Sequence, residues 1–247
     1  MSVGLAPVVE VRAGLKDGVI TADIDRAAIV ERVMGRGQLV LLKGVFADAA
    51  ATQVRTAVAD WGRTVDAADV DDFAGNYHRR RCMVARIQQA PHVFHDYNFN
   101  ALDAAPADLR ASLLGLFEPL RELYNALTGY DVRFEVPASG PYVHPQLIHY
   151  PSGGGFFARH WHNLAPQKLG FIVSLSKRGR DFRNGGTCFE IDGQVVDTEG
   201  QQEIGDILIW RYDHQHWVTQ SDLQDKFDWF SDAGRWVATF AYFDPKG

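Results

Sequence analysis

The sequence predicts a mainly β fold, a two-sheet sandwich or barrel, with helices from the N-terminal half bracing it. Two patterns carry that reading. Short apolar runs separated by turn signals fill the second half of the chain. The first half instead has long stretches with apolar residues at three- and four-residue spacing. A third observation is compatible with it: the chain has 247 residues, 46% hydrophobic and 23% charged, enough to bury a core without disulfide staples.

In chain order, Thr21 and Asp23 are candidate caps for a first helix whose apolar side carries Ala27, Val30, Val33 and Met34 and which Gly35 and Gly37 close. Gln38 to Val45 reads as a short strand. Residues 48–61 form a second amphipathic helix with Val54, Val58 and Trp61 on one face. Residues 62–100 are polar and weakly periodic. They read as mostly loop, with a strand near Met83 to Ile87. A long helix runs from Pro106 to Leu127, closed by Gly129, with Pro119 predicting a kink or break. The strands follow at 146–150, 156–162, 169–176, 186–191, 207–212, 216–219 and 236–243. Pro151 to Gly155 and Asp192-Gly193 supply turns. No repeat or strong linker divides the chain. One compact domain over 1–247 is expected, with a helical buttress and substrate-covering region over about 1–130 and a β core over about 131–247.

Composition narrows the function. A net charge of -6 argues against a nucleic-acid partner. Two cysteines, Cys82 and Cys188, exclude a disulfide framework, though one bridge stays open. The opening segment has no basic region followed by an apolar one, and no apolar run is long enough to span a bilayer, so no membrane partner and a cytoplasmic location are expected.

The histidines carry the chemistry. His160 and His162, two apart, share a face of a strand, and His216 opens a later apolar run. Together they can form one face of a metal coordination sphere, although imidazoles alone do not choose among Fe(II), Zn(II), Cu(II) and Ni(II). Two satisfied pocket histidines are the plainer reading. His214 repeats the spacing with His216 and is a ligand or a supporting residue. Arg235 opens the last strand. Alternation places it with Val237, Thr239 and Ala241, and a buried guanidinium there calls for an anion. An arginine facing water is the other possibility. Two basic stretches, Asn76 to Arg81 and Ser176 to Gly186, could cover an anionic substrate, with Arg80 or Arg81 binding its carboxylate or phosphate, or could be solvated loops.

In order, these segments resemble the iron(II) and 2-oxoglutarate-dependent dioxygenases. The segment from His149-Tyr150, through the Gly-rich turn, to His160-Trp161-His162 is similar to that family's first ligand segment. Gly205-Asp206 with the following apolar strand, His216-Trp217-Val218 and Gly234-Arg235 are similar to its later motifs. The resemblance implies a double-stranded β-helix, or jelly roll. It implies Fe(II) on His160, His162 and His216, and 2-oxoglutarate held by Tyr150 and Arg235. O2 would be co-substrate in the hydroxylation, desaturation or cyclisation of a small polar molecule such as an amino acid or natural-product intermediate. His162 stands where that family carries a carboxylate ligand. A three-histidine site is favoured. It also resembles thiol and diketone dioxygenases, which bind substrate directly and use no 2-oxoglutarate. The same residues are compatible with Asp213 as the carboxylate, with a vacant position as in halogenases, and with a non-redox metal- or ligand-binding jelly roll. The oligomeric state is left open.

Overall fold

The computed structural model describes residues 6–71, 74–83, 90–135 and 140–244. In chain order the elements are β1 (Val8–Lys16), β2 (Val19–Ala22), α1 (Arg26–Val30), β3 (Leu39–Lys43), α2 (Asp48–Thr64), β4 (Asn76–Met83), β5 (His92–Phe99) and α3 (Ala107–Thr128). Then come β6 (Tyr142–Pro151), β7 (Gly155–His160), β8 (Leu169–Ser174), β9 (Gly186–Ile191), β10 (Gln194–Asp197), β11 (Ile207–Arg211), β12 (His216–Ser221) and β13 (Gly234–Phe243).

The strands join into one folded-over ladder, β10-β9-β12-β7-β5-β6-β13-β8-β11-β3-β1-β2, with β4 on the side of β5. This is the jelly-roll architecture. Its smaller arm is β10, β9, β12 and β7, and its larger arm runs from β6 to β2. β5 joins them: His92 and Val93 pair with β7, whereas His95 to Asn98 pair with β6.

Strand alternation sorts two apolar clusters on opposite faces of the larger arm. Val40, Leu42, Ile207, Ile209, Phe171, Val173, Trp236 and Ala238 pack with α2 and α3. Leu39, Leu41, Leu208, Trp210, Ile172 and Val237 face the smaller arm, joined there by Phe189, Ile191 and Val218. With both faces covered, these strands read as unbroken apolar runs. α3 buries Leu113, Leu116, Phe117, Leu120, Leu123 and Leu127, and a side chain of this kind contributes roughly 1.5–3 kcal/mol when fully buried.

Several expectations need correcting. The first helix is shorter than its pattern suggested: Asp25, not Thr21 or Asp23, is the cap, its carboxylate accepting from the Ala28 amide, and α1 passes into a π turn at Glu31–Gly35. Thr21 lies in β2, which β1 meets through an Asp17-Gly18 turn with both residues at positive φ. Pro119 does not break α3. The carbonyl it deprives of a partner belongs to Gly115, an exposed residue that water can satisfy. Residues 76–83 and 92–99 are strands, not loop. The strand expected near Met83 to Ile87 lies mostly outside the described residues. Cys82 and Cys188 are both free. Among the described residues no helix is long and apolar enough to cross a membrane.

Candidate active site

A cavity of about 280 Å³ lies between the two arms. β7 and β12 are antiparallel neighbours with His160 opposite His216. β7 ends at His160, yet His162 continues to the same side, its ring stacked on Tyr212 at 4.4 Å between centroids. The three rings can each present a nitrogen so that the three atoms lie within 4.8 Å of one another.

Two of the rings have a defined tautomer. The Nδ1–H of His160 donates to the Ala158 carbonyl at 2.8 Å, and that of His216 donates to the His214 carbonyl at 2.9 Å. A carbonyl can only accept, so in each neutral ring Nε2 keeps its lone pair. Burial, with His160 next in effect, pushes His162 down to about 4 and His216 down to about 3; burial also lowers His160. The cluster therefore offers three uncharged donors at neutral pH, a set suited to a divalent transition metal.

The far wall belongs to Tyr150 and Arg235, Cα partners across the β6–β13 ladder and both buried. The Arg235 guanidinium lies over the Tyr150 ring, 5.6 Å from its centroid. Burial pushes the Tyr150 phenol up to about 12, with Arg235 opposing. Gly234 at φ +129 makes this possible, since a Cβ there would collide with the Tyr150 carbonyl. Arg235 Nε donates to Glu199 Oε2 at 2.8 Å and Nη2 donates to Thr187 Oγ1 at 2.6 Å. Nη1 is buried without a hydrogen-bond partner among the described residues. An orphaned guanidinium nitrogen in the wall of the cavity that holds the imidazoles fits an anionic ligand bound there with a metal.

Other predicted residues go elsewhere. A turn at Tyr212 to His214 breaks the alternation that was to align Tyr212, His214 and His216. The His214 ring packs by Gly37, and only its carbonyl reaches the site. Asp213 is forked onto Arg211 at 2.7 and 3.1 Å, which removes it as a carboxylate ligand. His149 points to the helix side, stacked on Trp236 at 4.2 Å between centroids. Of the two basic stretches, Arg81 alone lines the cavity. Arg80 lies over Phe230, and Lys177, Arg178, Arg180 and Arg183 pair with Glu203, Asp197, Asp48 and Asp225 on the surface. Glu199 and Thr187 carry no motif and were missed. So was Phe157, stacked on His160 at 3.9 Å between centroids.

No family model matches the chain, and no curated protein matches it in sequence. Solved structures do. A Pseudomonas putida prolyl-4-hydroxylase superposes with TM-score 0.55 at 14% identity, over 89% of this chain and 99% of that one. A Trichoplax adhaerens prolyl hydroxylase, in complex with a hypoxia inducible factor peptide fragment, gives TM-score 0.59 at 13% identity, over 90% and 91%. The non-heme alpha ketoglutarate dependent epimerase SnoN from nogalamycin biosynthesis gives 0.53 at 16%, over 88% and 84%. At such identities the likeness is one of fold: the chain has the double-stranded β-helix of the 2-oxoglutarate/Fe(II) oxygenases.

Proposed function

We propose that this protein is a non-haem Fe(II)- and 2-oxoglutarate-dependent oxygenase acting on a small polar molecule, such as an amino acid or natural-product intermediate, in the cytoplasm. One observation carries the reading. Three neutral imidazoles line the same cavity as Arg235, whose buried Nη1 has no hydrogen-bond partner among the described residues. His160, His162 and His216 would hold the metal, and Tyr150 and Arg235 would hold the distal carboxylate of 2-oxoglutarate. When bound, iron, 2-oxoglutarate and O2 supply the oxidant for hydroxylation, desaturation or cyclisation.

The chain's own part is to bind, orient and exclude water. The Ala158 and His214 carbonyls fix two imidazoles with Nε2 free. Phe94, Phe157, Ile172, Val218 and Val237 give the cavity apolar walls, which strengthen the charge interactions within it. Arg81, 30% exposed along its side chain and 3.9 Å from the Asp96 carboxylate, lines the cavity and would meet an anionic group of the substrate.

The test is stoichiometric succinate formation from 2-oxoglutarate by the Fe(II)-loaded protein. No succinate with any candidate substrate, and none in its absence, overturns the reading. A second reading has its own support, because Arg235 already has a carboxylate partner in Glu199. The protein would then be a three-histidine oxygenase that binds substrate directly to iron. O2 uptake with substrate and without 2-oxoglutarate would select it.

A further inference from the structure

The Arg235–Glu199 pair is closed off from solvent, its side chains 1% and 2% exposed. Thr187, itself fully buried, ties both partners: its amide donates to Glu199 Oε2 at 3.0 Å and its hydroxyl accepts from Arg235 Nη2. This network fixes two of the three guanidinium nitrogens and leaves Nη1 over. A buried ion pair is seldom better for stability than apolar residues of equal volume. One built into a cavity wall invites a reason other than stability.

Charge supplies that reason. Three neutral imidazoles leave a divalent cation its full charge, and Arg235 and Glu199 cancel each other. Setting aside Arg81, whose half-buried side chain lies 3.9 Å from Asp96, the metal, the imidazoles and this pair then carry two positive charges, which a dianion neutralises. With a carboxylate at position 162, the sum would be the same only if Arg235 had no counter-ion of its own. Glu199 thus restores a balance that His162 would otherwise upset, but does so at the arginine end.

We propose that Glu199 is the resident counter-charge of Arg235, a positioning residue that keeps Nη1 available to the cavity and weakens the binding of a distal carboxylate there. This rests on the 2-oxoglutarate reading of the site. A dicarboxylate joins an existing ion pair and does not meet a bare cation. The affinity for 2-oxoglutarate is accordingly held lower than the arginine alone would set it.

Glu199→Gln tests this, because the amide oxygen still accepts from Arg235 and Thr187 while the charge is gone. Binding to the anaerobic Fe(II) protein is measured by titration with 2-oxoglutarate and with pyruvate, a 2-keto acid that lacks the distal carboxylate. Wild type should prefer 2-oxoglutarate. In Glu199→Gln its dissociation constant should fall by roughly tenfold or more, from loss of a like charge in a low-dielectric site, while that of pyruvate stays unchanged. A variant that binds 2-oxoglutarate no more tightly, or that shifts both ligands alike, overturns the role of Glu199. If wild type itself does not distinguish the two ligands, the 2-oxoglutarate reading fails first. Should Glu199→Gln unfold without ligand, glutarate, which supplies the missing carboxylate, should raise its thermal transition more than that of wild type. No such rise overturns the proposal.

Discussion

His160 and His216 face each other across an antiparallel strand pair, their ring centroids 4.2 Å apart, and each donates its Nδ1–H to the carbonyl two residues before it. The arrangement is repeated on two strands, so the backbone itself aims both Nε2 atoms. Replacing a group that merely orients a metal ligand typically costs 10–100-fold in affinity, so His160→Ala and His216→Ala should each cost at least about 100-fold in Fe(II) affinity. Anaerobic Fe(II) titration measures this.

His162 has no such backbone anchor among the described residues and rests against Tyr212 instead, the planes only 11° apart. Tyr212→Ala should therefore weaken Fe(II) binding by about tenfold, and Tyr212→Phe, which keeps the stacked ring, should restore it. Equal losses in the two variants would show that the phenol group matters and the stacking does not.

Acid should destabilise the fold well above the pH at which carboxylates protonate. Burial holds His95 down to about 2, His149 to about 3 and His144 to about 4. Below the ordinary histidine value near 6.5, the unfolded chain takes up protons that the folded chain refuses. Stability is therefore full above about pH 6.5 and is lost as pH falls toward the folded values, by about 1.4 kcal/mol per pH unit for each such histidine. Urea midpoints between pH 7 and 5 should fall accordingly. His144 has no hydrogen-bond partner for either ring nitrogen among the described residues, so His144→Phe should reduce the slope.

Removing Arg235 should strand the Glu199 charge. Arg235→Gln is expected to cost about 3–5 kcal/mol, and Arg235→Gln with Glu199→Gln to recover much of it. Chemical denaturation of the two single variants and the double variant gives the coupling.

Gly170 seats the indole of Trp210, since a Cβ there would collide with that ring. Both residues line the cavity. Gly170→Ala should displace the indole and destabilise the fold by about 1–3 kcal/mol, as overpacking does, and should change ligand affinity with it. Unchanged melting and unchanged binding would refute the seating role.

Much of this site was legible because its residues announce themselves locally. His160 at the end of β7, His216 at the start of β12, a Gly-Arg at a strand start and a tyrosine before a Gly-rich turn each sit on a regular element, and strand alternation then orders Arg235, Val237 and Thr239 onto the cavity face as expected. Glu199 and Thr187 were not legible, because their part depends on which distant strands become neighbours. β4 and β5 escaped for another reason. Buried His78, His95, Asp96 and Asn98 satisfy one another or nearby groups in part, so the strands bury polar residues and show no apolar period. His214 failed where a turn interrupted the assumed alternation.

The divided pairing of β5 has a consequence for traffic into the cavity. The strand is stitched by its first residues to the edge that carries His160 and by its later ones to the edge that carries Tyr150. It acts as a hem: the two arms cannot part along that side without tearing a ladder. His162, Gln167 and Arg81 are among the lining residues that stay half-buried. His162 is half-buried while Arg235 is 1% exposed, so a ligand that entered beside His162 would reach the imidazoles before the guanidinium, and whatever rested against Arg235 would have to arrive first and leave last.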